Sequence, residues 1–470
     1  MRKHQKINPL ASTFPEKLMY GIGDAGAAVL LSFPGSYLTL YLTDSVGMAA
    51  AFAGSMMLIC RIFDGISDAF MGMVIDLTHT KWGKARPWFV LSILPLILSF
   101  IALFCMPARL SESSRQIYIT VLYFLMTVVF YTINNIAYHS MLQRFSLSSE
   151  DRGKVSAVRS ILVVIIVAVY TVLTPMQIRW FGGEDNPNTW KQLALMWGAV
   201  CTICLSITAF GIKEKLSAQT PEQQAVASAS SAHSGGKEAL SHLLHCRYFY
   251  LLCGLSVIYF TLSNLRGMSF YYVRDVLGSA DLLSLIAAIT VIPTLIFAPF
   301  LPMLYQKIGK KNTSLLGLIL CAAGSMIILF DTRNILLAII SQTLRTIGLL
   351  PLGTALSTLA GDIADYLQMK TGIRSDGVTT SAHSIGVKIG TGLGAATVAW
   401  ALALGRYDSA LSVQPDSALQ AMIAVNSYVP ALLCAAGLLM LMFWNLEKYQ
   451  GEVRHFMEKL KADNDQTKEM

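Results

Sequence analysis

Residues 60–72 read CRIFDGISDAFMG and place Arg61, Asp64 and Asp68 inside an otherwise apolar window covering residues 51–75. Spacings of three and four residues put the three charges on one face of a helix. A charged stripe cannot face lipid, so this face has to line a cavity or meet partners on other helices. Two carboxylates one turn apart, with Ser67 beside them, offer hard oxygen ligands for Na⁺, or a pair whose mutual repulsion favours holding a proton. The competing reading is an internal ion-pair network with Arg61 that only fixes helix packing.

The surroundings of this stretch are those of a membrane protein. The 470 residues are 54% hydrophobic and 14% charged, with a mean hydropathy of +0.54, which excludes a soluble cytosolic enzyme. A crossing needs about 20 apolar residues. Twelve windows meet that need, near 18–43, 51–75, 88–106, 118–142, 155–178, 192–212, 247–273, 282–305, 314–331, 335–360, 378–404 and 419–444. The expected fold is all-α and polytopic, with twelve transmembrane helices in two six-helix bundles. Residues 1–212 form the first bundle, 213–246 a linker, 247–446 the second bundle and 447–470 a charged, solvated tail. The linker contains TPEQQAVASASSAHSGG (220–236), without apolar period.

Met1 to Lys17 is polar and basic and contains no short apolar core ending in a cleavage site, so the first span is expected to stay in the membrane. Of the 36 Lys and Arg, 24 fall on the side of the termini and the even-to-odd loops, 7 on the other and 5 within spans. The asymmetry predicts cytoplasmic termini, and basic residues scattered over short loops argue against a nucleic-acid partner. The loops DLTHTKWGKARPW (76–88) and YQKIGKKN (305–312) echo each other in the two halves, each with basic residues after a glycine. A six-plus-six repeat with a site at the midplane is a transporter arrangement. The eight cysteines read as small hydrophobes, and His242, His245 and Cys246 lack a second cluster that would make a metal site.

Other polar intrusions extend the candidate site. Tyr131, Asn135 and His139 in YTINNIAYHS (131–140) share a face suited to sugar hydroxyls, while Tyr138 points either into the site or out to an interfacial aromatic belt, the belt being slightly favoured. Lys388, deep in SAHSIGVKIGTG (381–392), is expected to face Asp64 and Asp68 or a bound anion. His383 either joins the cavity or is a hydrogen-bonded core histidine. Arg159, Arg266 and Arg345 complete the basic set; with Arg61 and Lys388 the spans hold five positive groups against Asp24, Asp64 and Asp68. An anionic substrate would remove the imbalance, and arginine suits a carboxylate or sulfonate. The alternative is that some arginines pair with Asp362 or Asp365 at a span end.

YGIGDAG (20–26), RIFDGISDAFMG, the WGKARPW loop, DRGKVSAVRS (151–160), GDIADY (361–366) and SIGVKIG (384–390) resemble the glycoside–pentoside–hexuronide:cation symporters of the major facilitator superfamily. The matches run in order along nearly the whole chain. The resemblance implies alternating access and sugar uptake driven by Na⁺, Li⁺ or H⁺, with no cofactor beyond the coupling ion. Carried over by position, its cation site falls on Asp64, Ser67, Asp68 and Thr132, near Lys388. Its sugar site falls on Ala28, Tyr131, Asn135, His139 and Arg159, next to Asp24. Two carboxylates of melibiose-type members correspond to Ala28 and Asn135, their Trp to His139, and their Asn to Ser67. Arg266 and Arg345 replace uncharged residues, which favours a hexuronide or sulfonated sugar over a neutral galactoside. Arg61, Asp76, Arg86, Asp362 and Asp365 make up the candidate charge and gating network. After Asp365 the stretch YLQMKTG lacks a Gly-Glu common in the family.

The expected protein is a monomer in the bacterial inner membrane that takes a sugar or organic anion. A uniporter, exchanger or exporter of a small organic anion or lipid-like solute is the alternative. A membrane enzyme lacks a nucleophile or metal constellation, and no phosphate-binding loop marks an ATP-driven pump.

Overall fold

The computed structural model describes residues 12–78, 80–107, 109–146, 149–212, 214, 246–279, 282–371, 376–411, 413–449, 451–453 and 455–456. Most of the linker (215–245), the end of the tail (457–470), and His242 and His245 lie outside the described residues. Within them the elements are helical, without a named strand. The helices divide into two compact units, Met1–Val226 with Asp408–Ser412, and Ala227–Tyr407 with Val413–Met470.

In the first unit the helices are α1 (Phe14–Leu40), α2 (Ala50–Leu77), α3 (Arg86–Leu103), α4 (Glu112–Phe124), α5 (Thr132–Phe145), α6 (Ser149–Trp180) and α7 (Pro187–Gly211). A π-turn, Leu125–Tyr131, joins α4 to α5 into one crossing. The second unit holds α8 (Arg247–Asn264), α9 (Met268–Tyr271), α10 (Leu282–Phe297), α11 (Leu301–Ile308), α12 (Lys310–Ile327), α13 (Ile335–Thr371), α14 (Asp376–Leu404), α15 (Asp416–Asn426) and α16 (Tyr428–Met442). Nine helices among the described residues are long and apolar enough to cross a bilayer. Although α2 is not among them, its 28 residues reach the length of a crossing.

The chain starts α1 with a capping box, Thr13 accepting from the Glu16 N–H while the Glu16 carboxylate accepts from Thr13. Helix α1 packs on α6 and α7, and in the second unit α8 packs on α14. Small residues allow both approaches: a Cβ at Gly21 would lie 3.0 Å from Arg159 Cα, and one at Gly390 would lie 2.6 Å from the Val257 carbonyl. Phe33, Tyr37, Tyr41, Phe100, Phe104 and Trp190 form the aromatic core of the first unit, with ring centroids 5.2–6.4 Å apart.

Each unit repeats two local devices. The first crossing of each ends in a π-turn followed by a left-handed glycine: Tyr41–Ser45 with Gly47 (φ 73°), and Tyr272–Val276 with Gly278 (φ 76°). Both follow the pattern Tyr-x-x-Asp-x-x-Gly, a stronger internal echo than the loops used in the sequence reading. In the second device a glutamate after the sixth crossing returns to the start of the third. Glu214 accepts from the backbone N–H groups of Lys84, Ala85 and Arg86 at 3.0, 2.9 and 2.7 Å. Glu447 likewise accepts from the Lys311 N–H at 2.8 Å. Each carboxylate sits at a helix N-terminus, where the dipole and unpaired donors favour a negative charge.

Three expectations change here. Helix α13 continues to Thr371, past the window that ends at 360, so Asp362, Asp365 and the start of the stretch YLQMKTG lie on one continuous helix, because no Gly or Pro interrupts residues 362–371. Glu214 belongs to the packed end of the first unit, although the sequence reading assigns it to the linker. The tail begins in contact with the second unit, with Glu447 and Tyr449 half-buried, because Glu447 is drawn to the start of α12 and the Tyr449 ring meets Tyr366 at 5.3 Å.

Candidate functional site

The charged face of α2 meets α5 inside the first unit. The Thr132 hydroxyl donates to Asp64 Oδ1 at 2.9 Å, and the hydroxyls of Ser67 and Thr132 lie 3.1 Å apart. Ser67 also donates to the Asp64 carbonyl at 3.0 Å. Asp64 and Thr132 are buried, whereas Ser67 and Asp68 are half-buried. The π-turn ending at Tyr131 sets the position of Thr132, since an extra residue in a turn rotates all that follows by about 100°. The outcome is a cluster of hard oxygens, the Asp64 carboxylate with the hydroxyls of Thr132 and Ser67, and Asp68 follows half-buried one turn on along α2. Such a set can hold Na⁺ or a proton. Arg61 approaches Asp64 through Nη1–Oδ2 at 3.6 Å, so the packing role weighed for it is also present.

A second cluster joins α1, α5 and α6. Asp24 Oδ2 lies 3.6 Å from Arg159 Nη1. Beside it, Tyr20 and Tyr138 stack at 4.2 Å, and each hydroxyl donates to the carbonyl of the other residue, at 3.1 and 2.7 Å. Tyr138 is therefore buried between helices and does not join an aromatic belt, because Tyr20 supplies both a ring face and an acceptor. Tyr131 and Asn135 are half-buried, His139 is exposed, and Ala28 is half-buried one turn after Asp24.

The remaining candidates lie in the second unit. Arg345 is buried and donates to Asn426 O and Oδ1, both at 3.3 Å. The carbonyl is available because residue 430, which would donate to it in an unbroken helix, is Pro430. Arg266 is exposed in the short turn Leu265–Gly267 between α8 and α9. Among the described residues neither arginine has a carboxylate in ion-pair contact, and Asp362 is taken by Lys310 at 2.6 Å. His383 Nδ1 shares a hydrogen bond of 3.0 Å with Ser256, the core-histidine alternative. Lys388 is half-buried, and its position between Gly386 and Gly390 directs it away from the α8 contact. It belongs to the second unit, Asp64 and Asp68 to the first.

In the charge network, Arg86 Nε donates to the Ala209 carbonyl at 3.0 Å, tying α3 to α7. Asp365 is half-buried on α13, and the Asp76 side chain lies outside the described set. Sequence reasoning missed Glu214, Glu447 and Tyr20. A signal existed for the first two: a Glu-Lys pair follows the sixth window of each half, at 214–215 and 447–448.

Residues 19–448 match the family described as MFS/sugar transport protein. The isoprimeverose transporter of Lactiplantibacillus pentosus is 25% identical over 460 residues, covering 96% of this chain and 93% of that one. The glucuronide carrier protein homolog of Escherichia coli (strain K12) is 27% identical, covering 83% of each. Among solved structures, a D-xylose–proton symporter aligns with a TM-score of 0.64 at 14% identity, over 92% of this chain and 97% of that one. That likeness shows the fold, and the family match extends over nearly all of the sequence. The chain belongs to the MFS/sugar transport protein family, in its glycoside–pentoside–hexuronide:cation symporter branch, and is a multi-pass membrane transporter and not an enzyme.

Proposed function

We propose that this transporter couples Na⁺ or H⁺ entry to uptake of a saccharide by alternating access, with the ion at Asp64, Ser67, Asp68 and Thr132. The observation that carries the reading is the convergence of Thr132 and Ser67 on Asp64 within one unit, at 2.9 and 3.1 Å along the chain of hydroxyls. Burying a carboxylate is costly, and a site that releases its cation once per cycle gives that cost a use. Tyr131, Asn135, His139, Asp24 and Arg159 supply the hydroxyl-binding groups. The solute is an acidic saccharide: Arg266 and Arg345 lack a carboxylate partner among the described residues. The names of the relatives include an acidic saccharide, a glucuronide, beside a neutral one, isoprimeverose. The excess of Lys and Arg on the side of the termini supports cytoplasmic termini in a bacterial inner membrane.

The test is transport in vesicles. Asp64→Asn is expected to abolish accumulation driven by a Na⁺ or H⁺ gradient while sparing downhill exchange. Equal accumulation by wild type and variant would refute the coupling site. One observation favours a second reading: Arg61 already neutralises Asp64 at 3.6 Å, as a purely structural pair would. In that case the protein is a uniporter or exchanger, and transport is indifferent to both ion gradients.

A further inference from the structure

Arg159 is the arginine of the cluster that joins α1, α5 and α6, and its geometry does not match that of a free anion receptor. Its Nη1 stands 3.6 Å from Asp24 Oδ2, too far for a hydrogen bond yet close enough for the charges to offset each other. Its Nε is buried without a hydrogen-bond partner. The two side chains remain 25% and 21% exposed, so the pair is neutral overall but reachable, with donors and acceptors still unused.

The pair is also held in place. Gly21 brings α1 against α6 at Arg159 Cα, so no larger residue separates the two helices. Tyr20, one turn before Asp24, is locked to Tyr138 of α5 by stacking and two hydrogen bonds. Backbone positions on both sides of the Asp24–Arg159 gap are therefore fixed by contacts that involve neither charge.

We infer that Asp24 is a specificity-determining residue: by offsetting Arg159 it restricts this part of the proposed sugar site to hydroxyls and keeps it from accepting an acidic group. The inference rests on the saccharide reading above and divides its labour: the acidic end of the solute is read by other groups. A sugar hydroxyl both donates and accepts, so a neighbouring pair of hydroxyls can give a proton to Asp24 and take one from Arg159. A carboxylate would engage Arg159 only by displacing Asp24 and leaving that carboxylate uncompensated in a low-dielectric setting.

Purified full-length protein is titrated with two probes, methyl glucoside and glucuronate, and the ratio of their affinities is compared among variants. Asp24→Asn is expected to weaken methyl glucoside on the order of tenfold, by removing a charged acceptor, and to shift the ratio toward glucuronate. Arg159→Gln is expected to weaken both probes and shift the ratio the other way. The double variant, which removes both charges and keeps the fold where a single one is unstable, returns the ratio to the wild-type value with both affinities lowered. Unchanged ratios in both single variants, or in the double variant unchanged affinities, would overturn the subsite and leave the pair a packing contact. Wild type that binds only methyl glucoside refutes the acidic-solute reading yet supports this subsite. Wild type that binds neither probe overturns the subsite, while the saccharide reading stands or falls with the vesicle transport assay.

Discussion

Glu214 closes onto Gly83, whose φ of 107° turns three backbone N–H groups toward the carboxylate 2.7–3.0 Å away. Any side chain at position 83 would both strain the backbone and strike that carboxylate. The same geometry recurs at Gly309 (φ 85°) and Glu447. Glu214→Ala is expected to destabilise the protein by roughly 2–3 kcal/mol, since charge-assisted bonds at a helix start are lost together. Glu447→Ala should cost less, about 1–2 kcal/mol, with one backbone bond at stake. Denaturant unfolding in detergent checks both values.

Thr132 presents its hydroxyl to Asp64, so Thr132→Val keeps the shape and deletes the donor. Cation affinity is expected to fall about tenfold, read as a loss of the thermal shift produced by added Na⁺. Thr132→Ser retains the hydroxyl and should retain most of the shift. An unchanged shift in Thr132→Val would remove Thr132 from the cation site.

The guanidinium of Arg345 satisfies a carbonyl that Pro430 leaves open on Asn426. Arg345→Met is expected to destabilise the second unit by about 1–3 kcal/mol. In Pro430→Ala the new N–H can take the Asn426 carbonyl, so part of that loss should vanish in the double variant. A double-mutant cycle measures the coupling, and additive losses would mean that Arg345 stabilises nothing through this carbonyl.

Tyr138→Phe removes one of the two reciprocal bonds with Tyr20 and leaves the stack intact. About 1 kcal/mol of stability should go, with the affinity ratio for neutral and acidic sugars unchanged. A change in that ratio would show that the tyrosine clamp touches the solute directly.

Much of the fold was legible because lipid is a simple solvent. Lengths of apolar sequence report crossings directly, and the family resemblance, carried by RIFDGISDAFMG and WGKARPW, agrees with the match over residues 19–448. Spacing alone put Arg61, Asp64 and Asp68 on one face, because helical periodicity is local. The tally of five bases against three acids treats each charge as free. Arg61 and Arg159 turn out to face Asp64 and Asp24, so among the described residues the arginines of that set without a carboxylate partner are Arg266 and Arg345. Of the two readings of Tyr138 the favoured one, the belt, fails for a similar reason, since an aromatic residue near a span end looks the same in sequence whether its partner is lipid or Tyr20.

From its sequence alone this chain is determined to be a helical membrane transporter with an acidic stripe on its second crossing, because hydropathy and helical period depend only on neighbours in the chain. Tertiary structure alone decided that Thr132 meets Asp64, that Asp24 offsets Arg159, and that Glu214 and Glu447 cap the third crossing of each half. Those contacts join residues from 68 to 136 positions apart, and only packing brings such distant groups within hydrogen-bond or ion-pair reach.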